Sequence, residues 1–399
     1  MTELDLAPAA MAAGGAAIAR DAGGRVVFID GALPGERVRA RVTEARKDFA
    51  RAVAVEILEP SPDRVAPPCP ALAAGCGGCT WQHVSPAGQV RLKVDIVVDA
   101  LRRIAKLADP PAPAVAAMTG PALRTTARLA VDANGRAGHR PRSGAGAVAT
   151  GSCLVAHPLL EELIVAGRYP GAGEVFLRVS VATGERLVLV DRGATAVDVP
   201  AGTAVFEEGD TRPAFVHEDV AGRRFRVSAA SFFQPGPIVA EALAAAVSIA
   251  IGDALPAGGT LVDAYAGVGL FASVLGASRQ CRVVAVENDA SAVADARVNL
   301  AGLDAKVAAV EVGRWKPHRA DVVVADPARS GLGRPGVVAV AATGAVRIVL
   351  VSCDPASLAR DTVLLRDAGY TLAGVTLVDA FPHTFHVETV SRFDRATAP

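Results

Sequence analysis

The stretch Thr260-Leu-Val-Asp-Ala-Tyr-Ala-Gly-Val-Gly-Leu-Phe271 decides the fold. Its opening residues read as a buried strand, its glycines as a turn, and the residues after them as a helix. Gly267 and Gly269 let the backbone approach a ligand at a helix N-terminus. Further on, Arg282 to Val286 reads as a second strand and ends in Glu287, where a carboxylate can take both hydroxyls of a ribose. A third strand, Ala320 to Ala325, runs into Asp326-Pro-Ala-Arg329. The apolar run Ile348 to Val351 leads into Ser352-Cys353-Asp354-Pro355, where Pro opens another helix. Strands alternating with helices predict an α/β domain with a mostly parallel, Rossmann-like sheet.

The turn also satisfies a Gly-x-Gly-x-x-Ala dinucleotide fingerprint through Gly267, Gly269 and Ala272, which keeps a nicotinamide oxidoreductase as an alternative. Two features favour the methyl donor S-adenosylmethionine, a nucleotide without a pyrophosphate. Asp263, just before the turn, is unwelcome near phosphates. The charged Asp326 loop lies at the same switch point of the sheet. Cys353 falls at a strand C-terminus and a helix N-terminus, where a thiolate is expected to be stabilised. A buried structural cysteine is the competing reading.

Working outward, a chain of 399 residues predicts two or three domains. Residues 1–58 hold short alternating runs at 25–30, 36–42 and 50–58, which fit a small β-barrel of the oligonucleotide-binding kind. Residues 59–235 form a mixed central domain that begins with a cysteine-rich loop, and 236–399 form the α/β domain. Net charge is zero, but residues 91–142 carry ten basic against four acidic side chains, a segment that could meet phosphates. No stretch of about 18 residues is apolar and uncharged, so no membrane span is expected. A basic leader is missing too, and a cytoplasmic protein is expected.

These residues together resemble the S-adenosylmethionine-dependent RNA uridine-5 methyltransferases, over nearly the whole chain. Residues 1–58 look like the family's RNA-binding TRAM barrel. Ser231-Phe-Phe-Gln234, Asp263-Ala-Tyr-Ala-Gly-Val-Gly269 and Asp326-Pro-Ala-Arg-Ser-Gly331 are similar to its donor- and base-binding segments. Ser352-Cys-Asp-Pro-Ala-Ser-Leu-Ala-Arg-Asp361 resembles its nucleophile motif and Phe381-Pro-His-Thr-Phe-His-Val-Glu388 its general-base segment. Gly236, Ala328 and Asp354 depart from the usual Asn, Pro and Asn. The stretch 310–314 lacks the Asp expected near the adenine.

The resemblance implies Cys353 as nucleophile and Glu388 as base, with Gln234, Tyr265, Glu287 and Asp326 at the cofactor. The chemistry suits the residue types. A thiolate adding to C6 of uracil makes C5 nucleophilic, and a base must then remove the C5 proton. Arg360 is a further candidate, to bind a phosphate or orient Cys353. RNA is the implied partner, ribosomal RNA first and transfer RNA as the alternative. A monomer is expected. An inactive RNA-binding protein is the non-enzymatic alternative.

Cys69, Cys76 and Cys79 crowd one glycine-rich loop. In a long cytosolic chain such a cluster suggests a metal rather than disulfides. With Cys353 assigned to chemistry and Cys281 read as core, Cys153 is the candidate fourth ligand. Four thiolates suit zinc or an iron–sulfur cluster equally. Family members with this arrangement hold a [4Fe–4S] cluster, so the resemblance implies one here.

Overall fold

The computed structural model describes residues 2–121, 123–142 and 144–396. The C-terminal sheet has eight strands in the order Ala305–Ala309, Arg282–Glu287, Thr260–Ala264, Val322–Ala325, Arg347–Ser352, Thr389–Arg395, Tyr370–Leu377 and Ala114–Val115. The first five are mutually parallel. Thr389–Arg395 runs antiparallel between its two neighbours.

Continuous apolar strands arise because both faces are covered. Leu261, Val322, Val324, Val349 and Val351 face the helices Pro237–Ile251 and Leu270–Arg279. Val262, Val323, Ile348 and Leu350 face the opposite way, toward Gly333–Ala342 and Pro355–Asp367. The strand Ala305–Ala309 is not visible in the sequence.

The helix Pro86–Arg103 and the strand Ala114–Val115 fall by number within the expected central domain, yet they pack on this sheet. Val97, Ala100 and Leu101 share a core with Leu358, Leu365 and Phe393. Ala114–Val115 pairs in parallel with Thr376 and Leu377.

The N-terminal sheet has six strands, in the order Glu3–Leu6, Arg37–Ala45, Phe49–Glu59, Val26–Asp30, Ala17–Arg20 and Ala10–Met11. Its core is Val27, Ile29, Val38, Ala40 and Ala50, closed by Trp81, Val84 and Ile96 from beyond residue 58. A second six-stranded sheet spans Thr126 to Glu207, with the helix Pro158–Val165 on one face. The hairpin Phe215–Val220 and Arg223–Ser228 leads into the α/β part. Among the described residues no helix is long and apolar enough to cross a membrane.

Candidate active site

All five parallel strands end on one edge of the sheet, and the antiparallel Thr389–Arg395 begins there. The register Ser352↔Thr389 therefore sets Cys353 and Glu388 beside each other at adjacent strand ends. Asp326 follows the next strand, Val322–Ala325, and its N–H donates to the Ala264 carbonyl at 3.2 Å. The Gln234 amide reaches the same place and donates to Asp326 Oδ2 at 3.2 Å.

The electrostatics differ from the sequence expectation. Asp354 caps the helix Pro355–Asp367, accepting from Ser357 N at 2.7 Å. Yet burial, with Glu388 and Asp326 nearby, pushes the Cys353 thiol up to about 11, and Arg329 only partly offsets this. The expected stabilised thiolate is corrected to a protonated thiol. Glu388 is buried, at 5% exposure, not solvated. Burial and the Asp326 carboxylate raise it well above the ordinary carboxyl range, against the pull of Arg329. Burial likewise takes Asp326 up to about 7, with the Gln234 amide pulling the other way.

The turn after Thr260–Ala264 is built as its glycines require. Gly267 and Gly269 adopt φ of 55° and 86°, and Tyr265 is held at φ 61°, strained for a residue with a Cβ. Glu287 ends its strand with both oxygens engaged. Gly267 N donates to Oε2 at 2.9 Å, and Asn288 N and Asp289 N donate to Oε1 at 2.7 and 2.8 Å. Oε2, with one donor against two on Oε1, keeps a lone pair for a ligand hydroxyl. Asp263 is fully buried, and its Oδ2 accepts from Ala272 N at 2.8 Å. Its Oδ1 has no partner among the described residues, and burial lifts the carboxyl to about 8.

Among the described residues Arg360 makes no hydrogen bond to Cys353. It pairs with Asp361 and donates to the Ser330 carbonyl. Buried Asp361 accepts from Leu332 N at 2.6 Å and Gly333 N at 3.1 Å, so the two tie down the loop after Asp326. His386 lies against Phe385, 4.4 Å between ring centroids, and burial with nearby Arg329 depresses it to about 4, so it is neutral near pH 7.

The segment carrying Glu388 is gripped from elsewhere in the chain. Thr80 N and Trp81 N both donate to the His383 carbonyl, and His383 N donates to Gln89 Oε1 at 2.6 Å. Lys93, fully buried, donates to Asp379 Oδ1 at 2.6 Å and to the Phe381 carbonyl at 2.8 Å. Phe385 packs on Gly15 of the N-terminal sheet so closely that a Cβ there would stand 2.4 Å from its ring. None of these supports is legible in the sequence.

Cys69, Cys76, Cys79 and Cys153 line one pocket, with Gln82 and His139. Burial raises the Cys79 and Cys153 thiols, and neighbouring thiolates add to this. Four thiols, one buried and three half-buried, that repel one another when ionised suit a cationic metal group, so the donor set fits. Among the described residues no three His, Cys, Asp or Glu side chains close on one ion position. Cys281 is buried and stands apart, just before the strand Arg282–Glu287.

The TRAM-domain family model matches residues 12–55. A protein of Streptomyces avermitilis described as an uncharacterized RNA methyltransferase is 38% identical, covering 99% of this chain and 98% of the relative. The 23S rRNA (uracil(1939)-C(5))-methyltransferase RlmD of Alkalilimnicola ehrlichii is 34% identical over 93% of this chain and 92% of its own length. Among solved structures, the Pyrococcus abyssi tRNA (uracil-54, C5)-methyltransferase bound to S-adenosyl-L-homocysteine superposes with a TM-score of 0.73. It covers 98% of this chain and 99% of its own at 21% identity, a likeness of fold.

Proposed function

The chain belongs to the S-adenosylmethionine-dependent RNA methyltransferases, the family that includes uracil-C5 enzymes. Within that family, we propose that it methylates C5 of a uridine in 23S ribosomal RNA through a covalent adduct at Cys353. The register Ser352↔Thr389, which brings the Cys353 thiol beside the buried Glu388, is the observation that carries this reading.

The target uracil must leave its stack to reach the strand ends. Asp326 then accepts the N3–H of the base. The Cys353 thiol gives its proton to solvent as the sulfonium charge of the donor joins Arg329 in favouring the thiolate. The thiolate adds to C6, and the C5–C6 pair moves toward O4 as an enolate. C5 takes the methyl group, and the carbon–sulfur bond of the donor breaks to leave a neutral thioether. Glu388, ionised at this point, removes the C5 proton, and elimination of the Cys353 thiolate restores the C5–C6 double bond. Burial of Glu388 supports its role, because a carboxyl raised toward neutrality takes up a proton readily.

Glu287 would hold the ribose, and Gln234 and Tyr265 would border the methionine half of the donor. Cys69, Cys76, Cys79 and Cys153 would hold a [4Fe–4S] cluster. Its contribution would be structural, bracing the loop whose Thr80 and Trp81 hold His383. RNA would enter across the N-terminal barrel, residues 1–58, and the basic segment 91–142.

The test is a denaturing gel with 5-fluorouridine RNA and S-adenosylmethionine. Wild-type protein should form a bond that survives denaturation, because fluorine cannot leave as a proton does. Cys353→Ala should form none. Glu388→Gln should accumulate the adduct on ordinary RNA, since addition proceeds and elimination stalls. An adduct with Cys353→Ala would remove Cys353 from the mechanism. Mapping 5-methyluridine by mass spectrometry in total RNA, with and without the protein, would distinguish ribosomal from transfer RNA.

A further inference from the structure

Gln234 ends a loop, residues 229–234, that has no regular structure of its own and leaves the strand Arg223–Ser228. Two buried, opposite charges hold that loop and its root from different directions. Arg178 lies on the central strand Glu174–Val179 and is 4% exposed. Its guanidinium donates to the Ser228 carbonyl through Nη1 and to the Ser231 carbonyl at 2.9 Å through Nη2. Asp295 lies on the helix Ala290–Asn299 of the α/β sheet and is fully buried. It accepts from Ser228 N at 2.8 Å, Ser228 Oγ at 2.8 Å and Ser231 Oγ at 2.7 Å.

We propose that Arg178 and Asp295 are positioning residues that grip this loop from the central sheet and from the α/β helix, and so hold Gln234 against Asp326. The fork geometry explains why the cation is Arg. One ammonium cannot meet two carbonyls three residues apart with the same rigidity. The carboxylate explains the serines, since each oxygen takes two donors, with Arg226 Nε supplying the remaining one at 2.7 Å. Neither charge reaches solvent, so neither serves solubility. The residue between the grips points outward: Phe232 is 72% exposed, while Ser231 and Gln234 are buried on either side. The arrangement makes the methyl-donor site depend on a residue of the central sheet.

The inference rests on the reading of Gln234 as a donor-binding residue, and the test separates the two. The full chain is titrated with S-adenosylhomocysteine by calorimetry as wild type, Gln234→Ala, Arg178→Lys and the double variant, each with a melting curve. Each single change should weaken binding about tenfold, the scale of one buried hydrogen bond, while the folded state persists. The double variant should bind within about twofold of the weaker single variant, because both act through one contact. If Gln234→Ala weakens binding and Arg178→Lys does not, the grip is wrong and the donor site stands. If Gln234→Ala binds as wild type, both readings fail. Losses that multiply in the double variant would also overturn the grip. Should Arg178→Lys fail to fold, Asp295→Asn enters the same cycle with the same criteria. Its amide offers one acceptor oxygen to the surrounding donors where two stood.

Discussion

The side-chain amide of Gln234 meets the carboxylate of Asp326 at 3.2 Å, joining the loop before one helix to the loop after a central strand. The amide favours the ionised carboxylate, and burial opposes it, leaving Asp326 at about 7. If the ionised form accepts the N3–H of the base, activity should rise with pH through that value. Gln234→Ala should move this acid limb upward, by on the order of half a unit to one unit. Profiles of kcat/KM against pH measure it. A limb that stays in place with Gln234→Ala would mean another group titrates there.

Glu287 holds its loop and is expected to hold the ribose as well. Glu287→Ala should weaken S-adenosylmethionine binding by on the order of 1–3 kcal/mol, the scale of lost charge-assisted hydrogen bonds. Glu287→Gln should fall between, because its amide oxygen keeps one acceptor for Gly267 N. Unchanged affinity by calorimetry would place the ribose elsewhere.

Protein purified without oxygen should carry iron and inorganic sulfide. Cys76→Ser and Cys153→Ser should each lower both and reduce thermal stability. Stoichiometric zinc in colourless protein would overturn the iron assignment. Full metal content in Cys153→Ser would strike Cys153 from the ligands.

Asp263 makes a prediction of opposite sign to the usual surface carboxylate. Its folded value, about 8, stands above the ordinary 3.8. Below about pH 4 both states are protonated and the group costs nothing. As pH climbs to 8, the unfolded chain has ionised while the folded chain resists, so stability is lost across that window. Asp263→Asn cannot ionise, and its amide oxygen can still accept from Ala272 N. Its advantage in urea unfolding over wild type should therefore grow from about pH 5 to about pH 8.5. An advantage independent of pH would show that the folded carboxyl is already ionised below about pH 5.

The parts of the site that can be read from sequence are those fixed by neighbours in the chain. The turn at residues 265–269 is one, because strand, positive-φ glycines and helix succeed one another directly. The Cys353 motif is another. What escapes depends on residues far apart. The burial of Glu388 comes from pairing with a strand well before it in the chain. A helix N-terminus alone would favour a Cys353 thiolate, but burial, together with Glu388 and Asp326 brought in by other strands, sets the opposite balance. Short strands such as Glu3–Leu6 and Ala17–Arg20 have too few β-branched residues to announce themselves. Arg360 resembles a ligand-facing cation in sequence because its partner, the Ser330 carbonyl, comes from a loop that only the fold brings near.

The strand Thr389–Arg395 lies inside its sheet, hydrogen-bonded on both sides, and Glu388 directly precedes it. During synthesis the ribosome delivers the glycine turn at residues 265–269 and Cys353 before this strand. Until it inserts, the edge of Arg347–Ser352 is open, Glu388 has no place, and Phe385 has not met Gly15. On the proposed chemistry, the growing polypeptide carries its nucleophile without its base until this late segment has slotted home.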